Sequence, residues 1–297
     1  MRKVLLCELN ISEGTDSEKI GAITAALEDV SGLVVLDINS NSDHNRTVYT
    51  FMGAPEDVLE GAKRVTDAAL ARIDMTVHKG SHPRMGAVDV VPFVPIRNVS
   101  EAEALGIARA YGSFLGGRGV PVYYYEDAAT KPERKVLVTI RKGQYEGFAE
   151  KMRDPAWIPD EGPAVFPPKW GATVTGVRFS LVAFNVNLRT EDLNVAKAIA
   201  KAVRFSSGGF HSVRAIALPL EENHQVQVSM NLVNYRMTSI PVVFETVKAL
   251  AESYGVAVGG AELVGPVPLD ALKDVVTHYL RVHDFNMEQI IEAKLID

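Results

Sequence analysis

The feature that most constrains how this 297-residue chain can fold is an order of elements written twice. In the first half, residues 4–10 read as a strand, Thr15 and Glu18 stand at the spacing of a capping box, and Ile20, Ile23, Leu27 and Val30 share one helical face. Residues 33–38 and 47–52 are β-rich runs joined through the polar stretch 40–45, which suits a hairpin connection. Pro55 then opens a helix, with Glu56 and Asp57 in its first turn and Val58, Ala62, Val65, Ala69 and Ile73 along its apolar stripe. Residues 88–95 supply a fourth strand, whose prolines imply a sheet edge or a strand end. The same order returns as strand 179–188, helix 191–203, strands 213–220 and 226–232, and a helix opened by Pro241. Asp43-His44-Asn45 has a counterpart in Glu222-Asn223-His224, and residues 90–95 are echoed by 263–268.

A β-α-β-β-α-β order that occurs twice predicts an α+β protein of two ferredoxin-like subdomains, residues 1–178 and 179–297, with a ligand cleft between them. The first half also carries an added helix from about Ser100 and a strand near 120–126. Proline density marks 154–171 as a stiff extended connection between the halves. Both tryptophans, Trp157 and Trp170, lie in it, so they either anchor the connection or wall a binding cleft.

Composition excludes several classes. A net charge of −6 and a pI near 5.7 argue against a protein that finds nucleic acid through a broad basic surface. The single cysteine, Cys7, sits in an apolar run and forms no intramolecular disulfide, which fits a reducing compartment. The chain enters a strand at once with no signal-peptide pattern, and no apolar run approaches the roughly 20 residues that span a bilayer. A cytoplasmic protein that binds small molecules, with no nucleic-acid or membrane partner, is the expectation.

The segment His78-Lys79-Gly80-Ser81-His82-Pro83-Arg84-Met85-Gly86 concentrates a titratable base, cations and glycines that admit close approach of a ligand. His82 is either a proton-transfer group or an exposed loop histidine; Pro83 restricts its backbone. His78 and His82 have the four-residue spacing of a zinc-hydrolase helix, but Gly80 and Pro83 oppose a helix and Lys79 replaces the required glutamate, so no metal is expected. His44 and Arg46 stand at the end of the polar connection between the strands 33–38 and 47–52, where Arg46 is either a carboxylate clamp or part of a solvated turn. Asn10 is either a turn former or a hydrogen-bonding contact for a substrate.

Taken together, the stretch from Asp43 to Phe51, the loop His78 to Asp89, Lys169-Trp170-Gly171-Ala172, the run Val182 to Leu188 and Glu262 to Leu269 resemble the glutamate formiminotransferase family over nearly the whole chain. The resemblance implies transfer of the formimino group of N-formimino-L-glutamate to tetrahydrofolate, the co-substrate, giving 5-formimino-tetrahydrofolate and L-glutamate in histidine degradation. It places the catalytic histidine at His82. It places folate contacts at Pro163, Ala164, Val165, Phe166, Pro167, Pro168, Lys169, Trp170, Gly171 and Ala172. Charge complementarity then makes Arg46 and Arg84 candidates for the glutamate carboxylates and Asp37, Asp43 or Asp89 for polarising the formimino group, while Asn10 and His44 are substrate-binding candidates by position. A homodimer is expected, and no segment is long enough for the cyclodeaminase domain fused to animal members. Two departures are Leu9 before Asn10, where the family commonly has proline, and Asn39, where animal members carry an acidic residue. Formyl transfer between 5-formyl-tetrahydrofolate and glutamate, and a non-catalytic folate-binding module, are the alternatives.

Overall fold

The computed structural model describes residues 2–286 and 289–291, and the chain divides into two compact units, Met1–Arg178 and Phe179–Asp297. The first unit runs β1 (Val4–Ile11), α1 (Ser17–Thr24), β2 (Val34–Asn41), β3 (Arg46–Gly53), α2 (Pro55–Arg72), β4 (Val90–Arg97), α3 (Glu101–Gly117), β5 (Val122–Glu126), α4 (Leu137–Arg141), α5 (Gln144–Lys151) and β6 (Thr173–Val177). Its six strands lie in the order β2-β3-β1-β4-β6-β5; the first four are antiparallel to their neighbours, and β6 runs parallel to both β4 and β5. The second unit runs β7 (Val182–Leu188), α6 (Leu193–Val203), β8 (Val213–Leu220), β9 (Gln225–Leu232), α7 (Ile240–Ser253), β10 (Val258–Val264) and α8 (Leu269–Leu280), with an antiparallel sheet in the order β10-β7-β9-β8. Among the described residues this is a mixed α+β chain of two sheets and eight α-helices.

Strand alternation sets the layers of the first unit. Leu5, Cys7, Leu9 and Ile11 of β1 and Tyr49 and Phe51 of β3 point one way and are fully buried against Val58, Val65, Tyr111 and Leu115 from α2 and α3. Burying each such side chain contributes roughly 1.5–3 kcal/mol before the entropy of ordering it. A smaller core covers the other face over β4, β6 and β5, where Val90, Val174, Tyr123 and Tyr125 meet Ile140 of α4 and Phe148 of α5. Beyond that cover, Asn10 of β1 and Asn39 of β2 both register opposite Val48 of β3, with Arg46 two residues along on the same face.

Several expectations need correction. The cap of α1 is Asp16, not Thr15: the Asp16 carboxylate accepts from the N–H groups of Glu18 and Lys19, while Thr15 bonds Glu13. Strand β4 is central rather than at an edge. On the β1 side the register shifts beside Pro95 and stops at Phe93, short of Pro92, while on the other side Pro92 stands opposite Gly176 of β6. The proline-rich segment is not a connection between the halves, because it lies inside the first unit and leads into β6, which the sequence pattern did not reveal. Both hairpins do end alike, with Asn45 and His224 in the left-handed region (φ 48° and 51°). The echo of 90–95 in 263–268 is out of register, since pairing puts Phe93, not Val90, where Leu263 stands.

Candidate active site

His82 is held where two loops are laced together. The Asp43 carbonyl accepts from both Ser81 N (3.1 Å) and Ser81 Oγ (2.9 Å), Asn45 Nδ2 donates to the Lys79 carbonyl at 2.8 Å, and His78 Nε2 donates to the Asn45 carbonyl at 3.0 Å. Asn45 also accepts from Gly14 N at 2.8 Å, so one side chain in a left-handed turn ties three segments. Gly80 belongs to this lacing: a Cβ there would stand 2.3 Å from the His44 carbonyl oxygen. The glycine admits the neighbouring loop rather than a ligand.

Gly86 has the same kind of reason on the other side of the loop. It bridges Gly171, and a Cβ on it would stand 2.5 Å from the carbonyl oxygens of Trp170 and Ala172. Ala87 N donates to the Trp170 carbonyl (2.8 Å) and Ala172 N to the Met85 carbonyl (3.0 Å), so segment 163–172 is stitched to the His82 loop. Trp170 packs on the main core with Nε1 donating to the Leu70 carbonyl, and Trp157 packs in the smaller core, which makes both tryptophans anchors. Met75 N donates to the Lys169 carbonyl, Tyr145 Oη to the Pro168 carbonyl, and Phe166 packs on Tyr145 and Phe148. Pro163, Ala164 and Val165 stand in solvent, Pro167 bonds Trp170 and Gly171, and Gly171 (φ 69°) and Ala172 are buried.

The charges around His82 are nearly all positive. Arg46 Nη1 donates to His82 Nε2 at 2.9 Å, and the His44 ring lies 5.7 Å away, centroid to centroid. Burial lowers the proton affinity of His82 to a pKa of about 4, with Arg46, Arg141 and His44 adding to the effect, so the ring is neutral at pH 7. Burial and the nearby Arg141 also lower Arg46. Arg141 pairs with Asp89, which accepts from Met85 N at 2.9 Å; burial pushes the Asp89 carboxyl up against the pull of both partners. Arg46 and Arg141 each keep a buried Nε–H with no acceptor in the protein, an arrangement suited to an incoming anion.

The remaining candidates separate. His44, Arg46 and His82 are brought together, but Arg84 is not among them: its guanidinium is bidentate to Glu146 (2.6 and 2.9 Å) and its Nε donates to His78 Nδ1, beside a cavity of about 660 Å³ lined by Thr76, Lys79 and Tyr145. Asn10 turns its amide N–H groups to the backbone carbonyls of Glu8 and Val90. Asp37 registers opposite Thr50 on the face that bears Asn39, and the Asp43 backbone carries the Ser81 contacts. Arg141 was missed by sequence reasoning, because a lone arginine ending a five-residue helix gives no pattern. Among the described residues no group of three His, Cys, Asp or Glu side chains is placed to hold a metal ion, and no helix is long and apolar enough to cross a membrane.

Comparison with known proteins agrees with this arrangement along the chain. The family profile described as formiminotransferase domain, N-terminal subdomain, matches residues 4–178, and that described as formiminotransferase domain matches residues 183–296. The chain is 43% identical over its whole length, and over the whole of the relative, to a glutamate formimidoyltransferase of Streptococcus pyogenes serotype M1. It is 40% identical to another of that name in Thermoplasma acidophilum, covering 97% of this chain and 96% of that one. Against the mouse formimidoyltransferase-cyclodeaminase it is 44% identical over 94% of its own length, and spans about half, 53%, of that longer protein.

Proposed function

The chain belongs to the formiminotransferase family, and from that premise we propose that it moves the formimino group of N-formimino-L-glutamate to N5 of tetrahydrofolate, in histidine degradation, with His82 as general acid and base. The observation that carries this reading is a neutral histidine beside two arginines with unspent buried N–H groups: a proton acceptor next to a seat for a carboxylate.

In the proposed reaction the folate nitrogen bonds to the formimino carbon and His82 takes the proton released. The tetrahedral intermediate then breaks its bond to the glutamate nitrogen as His82 returns a proton to it. Such proton transfer contributes about 10²–10⁴ in rate, and fixing two substrates in register contributes up to ~7–11 kcal/mol of barrier reduction. Arg46 and Arg141 hold a glutamate carboxylate, with Asn10 and His44 lining the same seat. Arg84 acts at one remove, since Glu146 occupies its guanidinium. Segment 163–172 presents tetrahydrofolate to the loop it is stitched to. We read each unit as a ferredoxin-like subdomain, divided at 178/179, in a cytoplasmic homodimer. The strand orders β2-β3-β1-β4 and β10-β7-β9-β8 support the fold reading.

Formyl transfer is the second reading, favoured by one residue. Asn39 supplies hydrogen bonds without charge on the face it shares with Asn10, whereas a carboxylate there would select the cationic formimino group. The test is turnover with N-formimino-L-glutamate and with N-formyl-L-glutamate, each with tetrahydrofolate. The formimino substrate is expected to dominate, and His82→Ala to abolish transfer while leaving the melting temperature within a few degrees. Folate binding without product from either substrate would leave a binding module.

A further inference from the structure

We propose that Arg46 is a latch on His82: it fills the lone pair of the base in the free protein, and a carboxylate of the bound substrate draws it away. The inference rests on His82 being the base of the reaction proposed above, and adds how that base is switched on.

A guanidinium has donors only, so at 2.9 Å from Arg46 Nη1 the His82 Nε2 must be the acceptor. The neutral ring therefore carries its proton on Nδ1. Neither nitrogen is then open to take a proton from a substrate. One already bears a hydrogen, and the other has its lone pair filled.

Arg46 is poised to leave. Arg84, Arg118, Arg134 and Arg141 are each paired with a carboxylate, from Glu146, Asp67, Asp160 and Asp89 respectively. Among the described residues Arg46 has no carboxylate within ion-pair distance; its guanidinium bonds only His82, and its buried Nε–H has no acceptor. Asp89, the nearby acid, is committed to Arg141 and Met85 N. A two-pronged bond to a carboxylate is stronger than one N–H bond to an imidazole, and satisfies Nε as well. When Arg46 turns to such a carboxylate, one hydrogen bond to His82 breaks, bonds to the carboxylate form, and the anion offsets the positive charge that Arg46 and Arg141 direct at the ring. His82 becomes a competent base only when its substrate is seated.

The decisive measurement is the ¹⁵N signal of His82 Nε2, assigned with His82→Gln, followed through a pH titration with and without L-glutamate, the dicarboxylate product. In the free protein the ring should show a neutral, hydrogen-bonded Nε2 acceptor. Saturating glutamate should release that bond and raise the pKa by about one unit or more. Arg46→Met should raise the pKa in the free protein and abolish the change on adding glutamate, and Arg46→Gln serves if the first variant folds poorly. The latch is overturned if Arg46→Met leaves the free ring unchanged, or if glutamate binds by calorimetry without altering the Nε2 signal. If glutamate does not bind at all, the substrate reading falls, while the Arg46→Met comparison still decides whether Arg46 caps His82.

Discussion

Arg134 is fully buried, although charged side chains normally reach water, and replacing it with methionine should cost the first unit about 3–5 kcal/mol. Its Nη1 lies 2.6 Å from Asp160 Oδ2, its Nη2 donates to the carbonyls of Ala156 (2.9 Å) and Ile158 (2.6 Å), and its plane sits over Tyr123. Methionine fills comparable space but leaves Asp160, which also accepts from Tyr124 N, without its counter-charge, and strips two carbonyls of a donor. An exposed pair of the same kind would cost no more than about 1 kcal/mol, so the two cases are separable. Both tryptophans lie in the first unit, so urea unfolding followed by tryptophan fluorescence reads that unit directly. Because segment 154–160 leads into 163–172, the KM for tetrahydrofolate should rise before kcat falls. A loss below about 1 kcal/mol with an unchanged slope would refute the assignment of Arg134 as the anchor of this segment.

Gly86→Ala should destabilise the protein by about 1–3 kcal/mol and lower transfer, since its Cβ meets backbone on two sides, whereas Gly106→Ala, in α3 with nothing within 4 Å, should stabilise by about 0.5–1 kcal/mol; thermal melts of the pair check both. His82 stays neutral in the folded protein down to about pH 4 but protonates near its ordinary 6.5 when unfolded. Its contribution to stability is therefore whole above pH 6.5 and lost as pH falls from 6.5 to 4, and His82→Gln should show a shallower fall over that window in urea titrations. Asn39→Asp should shift the ratio of kcat/KM towards the formimino over the formyl substrate by ~1–2 kcal/mol, and an unchanged ratio with both activities measurable would remove Asn39 from the choice.

What the sequence made legible was local. Tyr49 and Phe51 alternate with Val48 and Thr50, and Pro55 stands before an apolar stripe, so β3 and α2 could be placed from spacing alone. What it hid depended on partners distant in the chain. Thr15 and Asp16 both qualify as caps, and only the capture of Thr15 by Glu13 decides between them. Strand β6 is five residues long and begins at the end of a proline-rich stretch, so its identity comes from the two strands that flank it. The loop around His82 is conspicuous by its residue types, but its contact with Arg46 joins two motifs 36 residues apart that no spacing relates. Arg141 reaches that site through Asp89, 52 residues away, a pairing no periodicity announces. Arg84 has the right charge for a carboxylate, but the chain supplies its own in Glu146.

The position of β6 between β4 and β5 fixes when the molecule becomes competent during synthesis. A ribosome releases β4 and β5 long before Thr173, and neither can pair with the other because the place between them belongs to a strand not yet made. Closing that gap spans the whole of α4, α5 and the proline-rich segment, a non-local step of the slow kind. The contacts that fix Met85, Gly86 and Ala87 come from Trp170, Gly171 and Ala172, at the threshold of that same strand. A nascent chain that already carries His82 therefore lacks the contacts that fix the far side of its loop until the sheet is complete, and the exposed edges of β4 and β5 are the surfaces most open to misassembly in the interval.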